Sequence, residues 1–366
     1  MDGAAFSEVR NLAPQDIPAV AAMFWRMFKP ANTKIPASLA DYLSELYLAP
    51  GNSTGIISQV HIRGDGVLTG FIGALPLKMA FGNAPLQAAI CGPLMVEDHI
   101  EDPLAGARLL RAFLTGPQDL SLSETANETS RIMWSKLRGR VLPGYSLEWL
   151  RILRPTAFAA EAASRRFKFL RHGKLLSGPF DLFAHAIMKT SIPEKPQGVN
   201  DCSIELDMLP PLIASWLKDY ELRPDWDLST LSDVLATAST KSTYGTMHSR
   251  VVKSRTGKPL GAYLFHGGRG ETVRVLQIIA AKGQESTVLD SLLYYANSIG
   301  AVAVRARSQP QLLEAMMIRR GLFFQRSSTV VHTGDPLVLE AFSKGNAFFN
   351  GLAGEGWNRL NGDEFV

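Results

Sequence analysis

The chain has 366 residues, a formal net charge of +4, and 46% hydrophobic against 20% charged residues. That length exceeds what a single hydrophobic core usually serves, so two domains are expected and long disordered tails are not. Two distant cysteines, Cys91 and Cys202, argue against a disulfide framework or a zinc site. No apolar run is long enough to span a bilayer, and Met1 to Pro14 lacks the basic start and apolar run of a signal peptide, so a cytoplasmic location is expected.

In chain order, Pro14 to Phe28 carries Ile17, Val20, Met23, Phe24 and Phe28 at near-helical spacing, and Ser38 caps a second helix through Leu39, Tyr42, Leu43 and Leu46. Ile56 to Ile62, the turn Arg63-Gly64-Asp65-Gly66 and Leu68 to Leu77 read as a β-hairpin. Lys78 to Phe81 reads as a third strand, and the long apolar run Leu86 to Val96 as a buried central strand. Pro103 favours helix entry ahead of the stripe Ala107, Leu109, Leu110, Phe113 and Leu114. Leu120 to Leu122 gives a short strand, Asn127 to Leu137 a helix, and Gly144 to Leu153 an alternating strand that closes the first half.

The same order of elements returns. Helices at Pro211 to Leu217 and Leu228 to Leu235 precede a hairpin, Val251 to Lys253 and Leu260 to His266, around Arg255 to Lys258. Val273 to Ala280 repeats the central strand, Ser286 to Tyr295 the helix, Ala301 to Arg305 the next strand and Leu312 to Arg319 the late helix. Matching Gly66 to Gly257 and Gly70 to Gly261 sets an offset of about 191, whereas Leu109-Leu110 to Leu292-Leu293 and Arg138-Gly139 to Arg320-Gly321 set about 182 or 183. The drop places a deletion near the hairpin and central strand of the second copy, where loops tolerate it.

Between the halves, Ala157 to Leu170 and Leu175 to Lys189 look helical, and Pro193 to Val199 reads as the linker. The expected division is an N-terminal domain over 1–156, a connector over 157–199, a C-terminal domain over 200–335 and a tail over 336–366 that covers core. The tail holds a helix at Leu337 to Phe342 and the aromatics Phe348, Phe349 and Trp357. The basic run Arg165, Arg166, Lys168, Arg171, His172 and Lys174 reads as a solvated helix face or as a phosphate contact. The overall charge is too small for a dedicated DNA-binding protein.

This element order resembles the GNAT (GCN5-related N-acetyltransferase) fold. The fold class implied is α/β (α+β): two tandem acyl-CoA N-acyltransferase units, each a mixed, mostly antiparallel sheet flanked by helices. In that family a loop resembling Arg/Gln-x-x-Gly-x-Gly/Ala leaves the central strand, and its amides hold the CoA pyrophosphate at a helix N-terminus, where the dipole favours an anion. The corresponding segment here runs Val96-Glu97-Asp98-His99-Ile100-Glu101-Asp102-Pro103-Leu104-Ala105-Gly106-Ala107. Glu101 stands at the basic or amide position, Leu104 at the first glycine, and Gly106 alone matches. The resemblance implies an acyl-CoA co-substrate, acetyl-CoA or another, along Leu94, Met95, Val96, Leu104, Ala105, Gly106, Ala107 and Asn127, with no metal.

A second family signature resembles Asn-x-x-Ala-x-x-x-Tyr-x-x-x-Gly-Phe on the late helix, where the tyrosine protonates the leaving thiolate. Asn127, Ser130 and Trp134 stand there, with Gly139 displaced by one. An indole is only a hydrogen-bond donor, so Trp134 is no acid, and Asn127 suits either a CoA contact or a helix cap. In the second copy the loop is Lys282 to Thr287 and Met317 takes the tyrosine's place, while Gly321 is expected as a helix C-cap. Removing the proton from an amine acceptor needs a base, for which Glu97, His99 and Glu124 stand at expected strand ends.

Three functions follow. The first is acetyl transfer from acetyl-CoA to the amine of a small molecule or peptide, with CoA in the N-terminal copy. The second is a non-catalytic binding or scaffolding protein that could dock through Phe348, Phe349 and Trp357. The third is a transferase resembling the FemABX group, which pairs two GNAT-like domains and takes aminoacyl-tRNA, favoured by the basic run.

Overall fold

The computed structural model describes residues 7–30, 33–48, 54–97, 100–155, 157–159, 193–357, 360 and 363. His99, the basic run Arg165 to Lys174 and most of the connector lie outside the described residues.

A short strand β1 (Glu8–Asn11), not expected from the sequence, leads into α1 (Ile17–Phe28) and α2 (Ser38–Leu48). Their inward stripes bury Val20, Met23, Phe24, Leu39, Leu43 and Tyr47, while Phe28, expected on that stripe, is 54% exposed. Then come β2 (Gln59–Ile62) and β3 (Leu68–Phe81), a single strand where two are expected, followed by β4 (Ala84–Val96). The chain continues through α3 (Ala105–Leu114), β5 (Leu120–Ala126), α4 (Glu128–Lys136), β6 (Arg140–Val141), α5 (Pro143–Ser146) and β7 (Leu147–Ile152).

The second half runs β8 (Val199–Ser203), α6 (Pro210–Leu217), β9 (Leu222–Pro224), α7 (Leu228–Ser239), β10 (Met247–Ser254), β11 (Pro259–His266) and β12 (Thr272–Ala280). It ends with α8 (Glu285–Ser298), β13 (Ala303–Arg307), α9 (Leu313–Ile318), β14 (Leu322–Gln325), β15 (Ser328–Thr333) and α10 (Pro336–Ser343).

The described strands form two mixed, mostly antiparallel sheets. The first has the order β1-β2-β3-β4-β5-β15-β6 with β9 beside β3; the second has the order β14-β7-β13-β12-β11-β10-β8. Each half thus lends strands to the other half's sheet. β7, expected to close the first half, lies between β13 and β14, with Val304 opposite Arg151 and Phe323 opposite Trp149. In exchange β15 takes the place beside β5, with Val331 opposite Leu122. The physical reason is burial: Trp149 and Leu150 point to opposite faces of β7 and are 1% and 8% exposed, so this strand needs cover on both sides and a neighbour on each edge. The sheets therefore do not divide at residue 156.

In the first sheet, Leu109, Leu110 and Phe113 of α3 and Trp134 of α4 cover one face with Ile72, Ala74, Ala89 and Cys91. The opposite face packs Val20, Leu43 and Tyr47 on Phe71 and Met95. Each buried Val, Leu, Ile, Met or Phe among them contributes about 1.5–3 kcal/mol. Close helix approach depends on glycine: a Cβ at Gly70 would lie 2.8 Å from Leu109 Cδ1, and one at Gly261 2.5 Å from Val288 Cγ2.

The tail does more than cover core. Phe348 and Phe349 are 2% and 0% exposed, and Trp357 stacks on His266 with ring centroids 5.2 Å apart, so these aromatics form no docking patch. Apolar side chains following α10 are drawn inward because both sheets leave apolar surface there, in the clusters around Leu222 and Leu264.

Candidate active site

The parallel pair of the first sheet is short. Ala88, Ala89 and Ile90 of β4 face Leu120, Ser121 and Leu122 of β5, and there the pairing stops. β4 continues to Val96 along β3 while β5 continues to Ala126 along β15, so the two strands part as a wedge. The divergence has a local cause. Ile72 pairs with Leu94 but Ala74 with Cys91, so Gly73 alone opposes Gly92 and Pro93 in a bulge. The extra residue bends β4, and Pro93 has no N–H to offer a neighbour.

Tyr47 of α2 lies across this bulge. A Cβ on Gly73 would sit 2.8 Å from its ring and 2.9 Å from its hydroxyl, and one on Gly92 would sit 3.0 Å from the hydroxyl. Two glycines therefore make the room that the phenol fills. Tyr47 is 6% exposed, and its hydroxyl has no hydrogen-bond partner among the described residues. Burial, the Glu355 charge and neighbouring Tyr42 and Cys91 hold this phenol well above the ordinary tyrosine value. Burial likewise pushes up the Cys91 thiol, leaving it a poor nucleophile.

The other side of the wedge holds a carboxylate from the tail. Glu355 Oε2 accepts hydrogen bonds from the Glu124 and Thr125 amides at 2.9 and 3.2 Å and from the Ser123 hydroxyl at 2.9 Å. Glu355 Oε1 accepts from the Thr125 hydroxyl. Two successive amides point at one oxygen because the β5–β15 register slips between Ser328 and Val330, opposite this stretch. Burial raises the Glu355 carboxyl above its ordinary value against the pull of these four donors. Sequence reading missed both Glu355 and Tyr47: one lies in a tail with no periodic signal, the other on a helix stripe indistinguishable from core.

At the mouth of the wedge, α3 begins with Leu104 as its N-cap residue and no side-chain cap. Leu104 is 62% exposed and Ala105 is buried, while a Cβ on Gly106 would meet Val96 and Met133 at ordinary contact distances of 3.5 Å and beyond. Leu94, Met95 and Val96 form the β4 edge leading there, with the Met95 side chain in the core and Ala107 half-buried on the first turn of the helix. The two acids ahead of the helix are paired: Asp102 accepts from both Arg108 terminal nitrogens at 3.0 and 2.8 Å, and Glu101 pairs with Arg63 at 2.5 Å. Their negative charge is thus offset by guanidinium groups that remain beside the helix start.

Glu97 is held by Arg26 through two hydrogen bonds of 2.8 and 2.9 Å. Glu124, 1% exposed, has its side chain directed away from the mouth. Its Oε1 is 3.7 Å from Arg307 Nε, and it lines a cavity of about 40 Å³ with Gln309 and Gly351. Asn127 caps α4, accepting from the Ser130 amide at 2.9 Å. Trp134 is fully buried against Phe113, with ring centroids 6.3 Å apart.

The second sheet has the equivalent parallel pair, Thr272, Val273 and Arg274 of β12 against Ala303, Val304 and Arg305 of β13. Here the wedge is closed. The Gln309 side chain accepts from the Ile278 amide at 3.3 Å and donates to the Ile278 carbonyl at 2.8 Å, as a neighbouring strand would. Asn350 donates to the Ser308 carbonyl at 2.8 Å, and the Leu352 amide donates to Gln277 at 3.0 Å. The tail therefore runs from the closed wedge, at Asn350, to the open one, at Glu355.

No family model and no curated protein matches the chain. Solved structures do match in fold. A GCN5-related N-acetyltransferase from Anabaena variabilis superposes with a TM-score of 0.59 at 9% identity, covering 90% of this chain and 73% of its own. A conserved protein from Enterococcus faecalis described as a probable N-acyltransferase gives 0.57 at 8% identity, over 89% and 72%. A GCN5-related N-acetyltransferase from Kribbella flavida gives 0.52 at 10% identity, over 89% and 70%. The fold is that of the GCN5-related N-acetyltransferases.

Proposed function

We propose that the protein is an acyl-CoA-dependent N-acyltransferase built from two diverged GNAT copies, with the donor in the wedge between β4 and β5 and an amine of a small molecule or peptide as acceptor. One contrast carries this reading: among the described residues no side-chain hydrogen bond ties β4 to β5 past Ile90 and Leu122, and the tail residue Glu355 sits on the β5 side, whereas in the second sheet Gln309 bonds both backbone groups of Ile278. A pantetheine arm would run along Leu94, Met95 and Val96, and the pyrophosphate would meet the amides of Leu104 to Ala107, with Arg63 and Arg108 nearby.

The landmarks behind the two-copy reading share backbone conformation. Gly66 and Gly257 both have φ of 85°, and Arg138 and Arg320, with φ of 68° and 57°, each precede a glycine whose amide closes the helix on Trp134 or Met316.

In such a reaction the amine attacks the thioester carbon, a C–N bond forms, the C–S bond breaks, and one proton passes from nitrogen to sulfur. Glu355, a half-buried carboxylate with a raised pKa on the β5 side of the wedge, suits the proton transfer. Glu97, paired with Arg26, and Glu124, whose Oε1 is 3.7 Å from Arg307 Nε, are the other carboxylates available for it. A non-catalytic binding protein is the second reading, favoured by the Glu355 carboxylate that occupies the β5 amides.

Calorimetric titration with acetyl-CoA and longer acyl-CoA thioesters tests the proposal. One saturable site per chain, lost in Gly106→Trp and kept in Gln309→Ala, is the expected result. Absence of binding to every thioester would leave the second reading.

A further inference from the structure

The phenol of Tyr47 has no role in holding the fold that its hydroxyl explains. A buried donor left without an acceptor costs about 1–3 kcal/mol, and a phenylalanine would avoid that cost. Yet Gly73 and Gly92 both clear space for the ring and its oxygen: a methyl on either would meet the hydroxyl at 2.9 or 3.0 Å. The hydroxyl is thus set beside Gly92, two residues past the last β4–β5 pair, on the side of the sheet opposite α3 and α4.

The other polar groups of the wedge are committed. The Ser123 and Thr125 hydroxyls donate to Glu355, as do the Glu124 and Thr125 amides. Cys91 donates to the Gly92 carbonyl at 3.6 Å. Trp134, at the position where the resemblance places a tyrosine, is fully buried on the far face and packs on Phe113. Two buried donors near the wedge lack a partner among the described residues, the Trp134 indole N–H on the α3 and α4 face and the Tyr47 hydroxyl, and of these Tyr47 lies against the Gly73 and Gly92 bulge of β4.

Resting on the donor reading above, we infer that Tyr47 is the hydrogen-bond donor to the thioester carbonyl oxygen as that oxygen becomes an oxyanion. As the amine adds, the C–N bond forms and the carbonyl π pair moves onto oxygen, where the Tyr47 hydroxyl meets it. The pair then returns, the C–S bond breaks, and sulfur leaves with the proton that nitrogen has given up through Glu355. No proton leaves Tyr47. Its raised pKa fits that duty, since a phenol held neutral is a persistent donor.

The test is the difference infrared spectrum of acetyl-CoA, isotope-labelled at the thioester carbonyl, bound to the full chain and to Tyr47→Phe. The expected result is a carbonyl band displaced to lower frequency in the parent protein and restored in Tyr47→Phe. The variant should be at least as heat-stable as the parent and, with an acceptor amine, lose roughly a hundred- to a thousand-fold in kcat with KM little changed. Identical bands in the two bound proteins would overturn the role of Tyr47 and leave the donor reading standing. Should acetyl-CoA not bind, the same comparison is made with a longer acyl-CoA thioester that does, and failure of the parent protein to bind any of them would remove both. Should Tyr47→Phe not fold, Tyr47→Leu, which removes the hydroxyl with the ring, supplies the same comparison.

Discussion

At the scale of single residues, the open wedge rests on carboxylates placed with little tolerance. Gly354 has an ordinary extended backbone, yet a Cβ there would lie 2.0 Å from Glu124 Oε2, so glycine is required by contact rather than by conformation. Gly354→Ala should destabilise the protein by about 1–3 kcal/mol in urea titration, the usual cost of overpacking. Glu355 makes a prediction with a sign. Its folded-state pKa is raised by burial, so the folded protein holds the proton to higher pH than the unfolded chain. Stability from this group is then present below its ordinary value and declines as pH rises through the folded value. Glu355→Gln should flatten that decline, making the variant relatively more stable near neutrality than in acid. A parallel pH dependence for both proteins would contradict it. A left-handed residue is also placed one step from expectation: at the end of α9 the positive φ belongs to Arg320, and a Cβ on Gly321 would press on the flexible Met316 methyl at 2.9 Å.

At the scale of elements, α1 to α4 and the strands around them follow from spacing, and their bounds differ from expectation by a few residues. The wedge does not follow from spacing. It depends on Gly73 facing Gly92 and Pro93, a pairing between strands that periodicity along one strand cannot reveal. The closed wedge was equally hidden, since Gln309 reads as a loop residue until Ile278 is seen beside it. Gln309→Ala should cost about 2 kcal/mol by leaving both Ile278 backbone groups without that partner, measured by chemical denaturation. The tail is clasped at its far end by Asp363, which accepts from Lys241 at 2.6 Å and from the Tyr42 hydroxyl. Burial works to raise the Asp363 carboxyl, but these hydrogen bonds outweigh it and the group lies below its ordinary value. Because Lys241 is 0% exposed while Asp363 is half-buried, Asp363→Asn should destabilise by roughly 1.5–3 kcal/mol, the cost of losing a hydrogen bond between charged groups. In the parent, this contribution is present above the ordinary Asp value and is lost as pH falls through the lowered one.

At the scale of the molecule, the exchange of β7 and β15 makes each sheet depend on both halves. One cooperative unfolding transition is therefore expected in calorimetry, and a fragment ending at residue 156 should not fold alone; two separate transitions would contradict it. Much of the fold was legible in the sequence because the apolar spacing of helices and strands, the Gly66 and Gly257 turns and the repeated Arg-Gly helix ends are properties of neighbouring residues. From these the fold class could be placed, together with the end of β4 and the start of α3. Tertiary structure alone decided which sheet β7 joins, which wedge Gln309 bridges, and that Tyr47 lies against the β4 bulge while Glu355 takes the β5 amides. Those outcomes depend on contacts between segments as far apart as residues 47, 92 and 355, and a strand's own pattern specifies which face is buried but not which partner buries it.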